Sequence, residues 1–223
     1  MAVAKVEDMN QQGVYAKELR MSQVSMLYDL WPEQSEWFIL GGTAQELEAQ
    51  TLATQYPNVK YIGFEPNPES AKAQNEYLGF PGKVHQCALW RNETDKLELT
   101  LPLGHNPARG SVCRPDNSPD LQMVTEWQTY SVKPRTLDSL SDEFGPFNNA
   151  VLWLDIEYAE LPALEGATRL LDRVLMVNLE THCHIGLAPI STLLAKRGLY
   201  MERVWNIGEI THKDAQDYIF IRK

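Results

Sequence analysis

Basic residues are scarce in this sequence. There are 20 Lys and Arg against 30 Asp and Glu, for a formal net charge of −10. A broad electrostatic grip on nucleic acid or an anionic membrane needs a basic footprint, so the balance speaks against both as partners. Cysteine is rarer still. Cys87, Cys113 and Cys183 are an odd count with no C-x-x-C spacing. That argues against a disulfide framework and fits a reducing, cytoplasmic setting. Long apolar runs are missing too. Stretches such as 150–154 are far too short to span a bilayer, and the first ten residues hold no signal-like apolar segment. What remains is ample for a globular domain. With 223 residues and 43% apolar content, the chain can bury a full core without metal or disulfides, and wholesale disorder is excluded.

No repeat of fixed period occurs. Residues 1–35 read as a helical segment, with Leu19, Met26, Leu27 and Leu30 in a rough stripe that Trp31-Pro32 ends. Residues 36–223 read as one domain. Within it, strands are expected over 37–40, 59–64 and 83–89, alternating with helices over 44–55 and 69–77. Short connections between such elements imply parallel strands covered on both faces. The middle breaks the rhythm. Residues 97–101 alternate Leu-Glu-Leu-Thr-Leu, 102–120 read as a long loop, and 126–132 alternate again. An antiparallel insertion spanning about 94–133 is expected there. The alternation then resumes with strands over 150–154 and 174–179 and helices over 161–171 and 190–196. Two closing strands follow, 199–205 and 217–221. With no helix between them, they should form an antiparallel hairpin. The expected fold is α/β: a doubly wound, Rossmann-like, seven-stranded, mostly parallel sheet. Ligands bind such sheets outside the carboxyl ends of the strands.

The first strand ends in Gly41-Gly42-Thr43, where glycine permits a tight turn and a close backbone approach to a ligand. The full G-x-G-x-x-G fingerprint is absent, so a plain strand-to-helix turn is an equal reading. Glu65 follows the second strand, 23 residues beyond Gly42. That spacing suits a carboxylate accepting from both ribose hydroxyls of an adenosine cofactor. It is followed by Pro66 and by Asn67, the better candidate to cap the next helix. Cys87 and Ala88, after the third strand, leave room for an adenine ring.

Asp155 and Glu157 leave the end of an all-apolar strand. In an extended segment they would point the same way. The next strand ends in Glu180, His182 and His184, again alternating. Should the two strands be neighbours, five polar side chains meet at one rim, and an acid or histidine there can serve as general base. A divalent metal is a rival use of the cluster, although the spacing matches no tight zinc signature. A surface role is the plainer account of any single histidine.

Four segments, in order, carry a resemblance: Glu65-Pro66-Asn67-Pro68, Thr136-Leu137-Asp138-Ser139-Leu140, Leu152 through Leu161 with its core Asp155-Ile156-Glu157-Tyr158-Ala159-Glu160, and Leu164-Glu165-Gly166-Ala167. Together they resemble the FkbM family of class I S-adenosylmethionine-dependent methyltransferases, over roughly residues 37–222. Gly110-Ser111-Val112 and Glu180 also match the places of a family loop serine and an acid. The resemblance implies S-adenosylmethionine as cofactor, held by Gly41, Gly42, Thr43, Glu65, Pro66, Asn67, Cys87, Ala88 and Asp155. It implies methylation of a hydroxyl on a sugar, glycan or small molecule. Asp155 or His182 then takes the acceptor proton and Glu157 orients the acceptor.

Four positions depart from the family. Ile39 stands where the first loop has an acid, and Gln45 where it has a glycine; Glu46 is a candidate substitute for the acid. Trp153 replaces a lysine, and Tyr158 a glycine. A methyltransferase-fold binding module without catalysis is therefore the alternative reading. A nicotinamide-dependent oxidoreductase is disfavoured by the missing glycine fingerprint and the closing hairpin. Monomer and homo-oligomer are both compatible with the sequence.

Overall fold

The computed structural model describes residues 24, 27–44, 47–103, 110–114, 124–182, 187–206 and 215–223. Most of the expected N-terminal helix lies outside these residues; Val24, Leu27 and Tyr28 are helical within them.

The central sheet has seven strands: β1 (Trp37–Gly41), β2 (Lys60–Phe64), β3 (Lys83–His85), β8 (Ala150–Leu154), β9 (Val174–His182), β10 (Leu199–Asn206) and β11 (Ala215–Arg222). Their spatial order is β10-β11-β9-β8-β1-β2-β3. From β3 to β9 all pairings are parallel, and β11 pairs antiparallel with both β9 and β10. The switch in strand order falls between β1 and β8, the place where such sheets bind ligands.

Alternation along β1 divides the core in two. Phe38 and Leu40 join Leu27, Trp31, Tyr61, Trp153, Met176 and Ile219 on one face, under helix α1 (Glu48–Gln55) and helix α2 (Pro68–Ala73). Ile39 joins Ile62, Leu152, Leu154, Val177 and Leu179 on the other. That face is covered by α3 (Leu137–Phe144), α4 (Glu160–Glu165) and α5 (Leu187–Ala195). The central strands are buried on both faces, so they read as continuous apolar runs.

Four differences from the sequence expectation have local causes. The third expected strand, 83–89, is broken: after His85 the chain leaves the sheet, and β4 (Ala88–Leu89) pairs with β7 (Pro134–Arg135) instead. Helix α3 was not expected. Thr136 caps it by accepting from the Ser139 amide at 3.0 Å. The expected helix over 161–171 stops at Gly166, where a Cβ would lie 2.2 Å from the Trp90 carbonyl oxygen. A short 3-10 turn, Leu170–Asp172, follows. The Asp138 carboxylate closes this joint by accepting from the Arg169 and Leu170 amides at 3.0 and 2.8 Å. Finally, the expected helix over 69–77 continues beyond α2 as a π-helical turn, Gln74–Leu78, whose buried Gln74 reaches back to the loop after β1.

The insertion contains β5 (Leu97–Pro102) and β6 (Trp127–Val132), paired antiparallel. Ser111 adds a bridge to the free side of β5 by exchanging backbone hydrogen bonds with Thr100. Leu97, Leu99 and Leu101 face inward with Ala88, Trp90, Val132 and Ala159 to form a third, smaller core above the strand ends.

Candidate active site

The loop after β1 is built around Gly42, whose φ is +80°. A Cβ there would fall 1.7 Å from the Asp155 carbonyl oxygen. Glycine is required on both counts. Gly41 packs on Leu89 and Leu154, and Asp155 donates its amide to the Gly41 carbonyl at 3.0 Å. Thr43 is fully buried and turned toward Gly63. Ala44 has a left-handed φ of +39°.

Glu65 holds that loop in place. Its carboxylate accepts from the Ala44 amide at 2.7 Å and from the Asn67 amide at 2.8 Å. Gln74 adds a side-chain hydrogen bond to the Thr43 carbonyl at 3.1 Å. Glu65 is therefore buried yet partnered, as a carboxylate inside a protein must be. The Asn67 side chain caps α2 by accepting from the Glu69 amide at 3.0 Å.

The turn after β8 is irregular, so the expected extended pairing of Asp155 and Glu157 is not the observed geometry. Glu157 and Tyr158 have φ of +49° and +79°, two successive non-glycine residues in the left-handed region. Three groups hold them there. The Ser111 hydroxyl donates to the Glu157 carbonyl at 2.6 Å, and the Cys113 thiol to the Tyr158 carbonyl at 3.1 Å. The Ile156 amide donates to the Glu160 carboxylate at 3.2 Å. The Tyr158 ring is buried with the Arg114 guanidinium 5.7 Å from its centroid; the same guanidinium lies 5.0 Å from the Trp127 ring.

These pieces surround one cleft. Of the residues expected at the site, Gly42, Glu65, Pro66, Cys87, Ala88, Asp155 and Glu157 line it. Gly41, Thr43 and Asn67 sit behind that lining as supports. The strands β8 and β9 are neighbours, and the pairing of Leu154 with Leu179 sets Asp155, just after β8, level with Glu180 within β9. The His182 backbone belongs to β9, while its side chain, like all of His184, lies outside the described residues. So do Gln45 and Glu46. Among the described residues, no cluster of His, Cys, Asp and Glu has a metal-binding arrangement.

One wall comes from the insertion. Leu99, Leu101 and Val112 of the insertion complete the cleft with Ile156 and Ala159. The Leu-x-Leu-x-Leu alternation marked an inward face without showing what it faced. Cys87 is also defined further: burial pushes its thiol up to about 12, so the cleft wall there is a neutral thiol.

A model of the FkbM methyltransferase domain matches residues 45–189. The chain belongs to the FkbM methyltransferase family. Its cofactor is accordingly S-adenosylmethionine. No curated protein sequence matches the chain. Solved structures show the shared fold at low identity. The precorrin-6y C5,15-methyltransferase of Geobacter metallireducens GS-15 is 10% identical, with 92% of this chain and 88% of that one aligned and a TM-score of 0.52. Magnesium protoporphyrin IX methyltransferase from Synechocystis PCC 6803, solved with bound S-adenosylmethionine, is 12% identical over 94% and 81%, with a TM-score of 0.50. The METTL16 methyltransferase domain is 13% identical over 92% and 68%, with a TM-score of 0.52.

The cleft of this FkbM-family chain fits an adenosine cofactor on its own chemistry. A carboxylate stands where a diol can donate, Gly42 adds no side chain, and Phe64, Cys87, Ala88 and Leu89 give the cleft an apolar side. The first-loop acid of the family has no successor at its own position. Ile39 is fully buried between Ile62 and Leu152 in the sheet core. The structure instead ties that loop to Glu65 and Gln74.

Proposed function

We propose that this methyltransferase acts on a hydroxyl oxygen of a sugar or other small-molecule acceptor, with Asp155 as the proton acceptor and Glu157 as the orienting group. The observation that carries the reading is the sharing of one cleft: Asp155 and Glu157 stand in the same cavity as Gly42 and Glu65. S-Adenosylmethionine supplies, when bound, an electrophilic methyl group on a sulfonium. The protein aligns and desolvates the reactants, and it receives a proton. Glu65 would accept from the ribose hydroxyls, Gly42 lets the backbone come close, and Cys87 with Ala88 forms the flat apolar side. A hydroxyl must shed its proton as the new bond forms, so a carboxylate at the rim suits it. His182, on the adjacent strand, is the second candidate for that step.

Calorimetry with S-adenosylhomocysteine tests the cofactor half. Wild type is expected to bind, and Glu65→Ala to bind at least about thirtyfold more weakly, because the diol acceptor and the loop tether go together. Turnover on a panel of sugars and polyols with labelled cofactor tests the other half. Asp155→Asn should lower kcat by about a hundredfold or more. Full turnover in both Asp155→Asn and His182→Ala at saturating acceptor would sink the assignment. Absence of binding at millimolar S-adenosylhomocysteine would replace catalysis with a binding-module role.

A further inference from the structure

The insertion covers the cleft, and it also holds the part of the cleft that carries the acids. Ser111 is 2% exposed and belongs to the strand-like segment beside β5. Its backbone is committed to Thr100 in both directions. Its hydroxyl faces the other way. It accepts from the Cys113 amide at 3.2 Å and donates to the Glu157 carbonyl at 2.6 Å. That carbonyl belongs to the first of two successive left-handed residues. Such backbone is strained for a non-glycine residue and persists only where surroundings over-determine it. The following carbonyl, of Tyr158, is held by the Cys113 thiol, two residues along the same insertion segment. Gly110 and Val112, on either side of Ser111, line the cleft with Asp155 and Glu157.

We propose that Ser111 is a positioning residue: from the insertion, its hydroxyl fixes the strained turn after β8 and so sets where Asp155 and Glu157 stand in the cleft. The proposal rests on the reading of those two acids given above. It makes the insertion a working part of the active site. An acceptor or cofactor that shifts the segment 110–114 would shift the acids with it.

Thr100 supplies the control. Its hydroxyl donates to the Ser111 carbonyl at 3.1 Å, in the same strand pair but without touching the turn. Thr100→Val therefore removes one side-chain hydrogen bond from the insertion, Ser111→Ala removes the two of the Ser111 hydroxyl, and only the second variant frees the Glu157 carbonyl. Two measurements on the full chain decide the matter. Amide hydrogen exchange over residues 156–158 should quicken about tenfold or more in Ser111→Ala. It should stay near wild type in Thr100→Val and return most of the way in Ser111→Cys, which restores a donor. Affinity for S-adenosylhomocysteine should fall in the same order. Unchanged exchange in Ser111→Ala, or equal acceleration in Thr100→Val, overturns the proposal. If wild type fails to bind S-adenosylhomocysteine, the cofactor reading fails separately, and exchange alone decides the role of Ser111.

Discussion

Two turns at one rim hold residues in left-handed backbone, and contacts from different parts of the chain hold each of them. The loop after β1 places Gly42 and Ala44 there, at φ +80° and +39°. It is secured chiefly by an acceptor, the Glu65 carboxylate on the Ala44 amide. The turn after β8 places Glu157 and Tyr158 there, with no glycine at all. It is secured chiefly by donors from the insertion, the Ser111 hydroxyl and the Cys113 thiol on successive carbonyls, with the Glu160 carboxylate on the Ile156 amide. In the first turn the strain is largely removed by residue choice. In the second it is kept and opposed by contacts from a distant segment. One side of the site is therefore held by its own domain and the other depends on the insertion. The cofactor-side loop is anchored within the sheet domain. The acid-bearing turn is anchored by an element that the parallel sheet does not need.

The substitution expected to do most damage is Gly42→Ala, because it breaks both turns together. Its Cβ would overlap the Asp155 carbonyl, and backbone on both sides must move. Overpacking and a left-handed alanine together should cost about 3 kcal/mol or more, a large share of the stability of an ordinary domain. Urea unfolding should show the loss as a lower midpoint with an unchanged slope. A stability within about 0.5 kcal/mol of wild type would mean that the two turns do not meet as closely as described.

Much of this architecture was legible in the sequence because it rests on period and punctuation. The apolar run before Asp155 could only be a doubly covered strand, and Glu65 fell at the right distance from Gly42 because both follow parallel strands. The insertion hairpin followed from the Leu97–Leu101 alternation. What could not be read were the tertiary reasons for single residues. Two of the family motifs turn out to be one joint: Asp138 accepts from the amides of Arg169 and Leu170, and Gly166 leaves space for the Trp90 carbonyl. Neither fact has a local signature. The break at Cys87 was invisible for the same cause, since β4 finds its partner in β7, about 45 residues onward in the chain. Ser111 was noticed only as a matching letter. Its task became visible once Glu157 lay 2.6 Å away.

A smaller effect separates strain from packing at the second turn. Tyr158 has a left-handed φ of +79°, so Tyr158→Gly relieves the backbone. That gain is about 1–2 kcal/mol. The same change removes a ring that is only 4% exposed and sits against Arg114. Losing a buried aromatic costs about 3–5 kcal/mol. Packing should win, and Tyr158→Gly should be less stable than wild type by about 2 kcal/mol in urea unfolding. A more stable variant would show instead that the turn after β8 is dominated by strain, and the contrast between the two turns would have to be redrawn.

The mildest test applies the same argument to the first turn. Ala44 has a left-handed φ but no large side chain to lose. Relief of strain in Ala44→Gly is worth about 1 kcal/mol, while the extra freedom of glycine in the unfolded chain takes back about 0.4–1 kcal/mol. The two nearly cancel, so the melting temperature should move by no more than about 2 °C. The Glu65 carboxylate would still receive the amide of residue 44, because that bond uses backbone alone. Affinity for S-adenosylhomocysteine should therefore stay within about threefold of wild type. A loss far larger than that, at unchanged stability, would mean that the loop after β1 is held by the conformational restriction of alanine rather than by Glu65. The anchoring role given to that carboxylate would then pass to residue 44 itself.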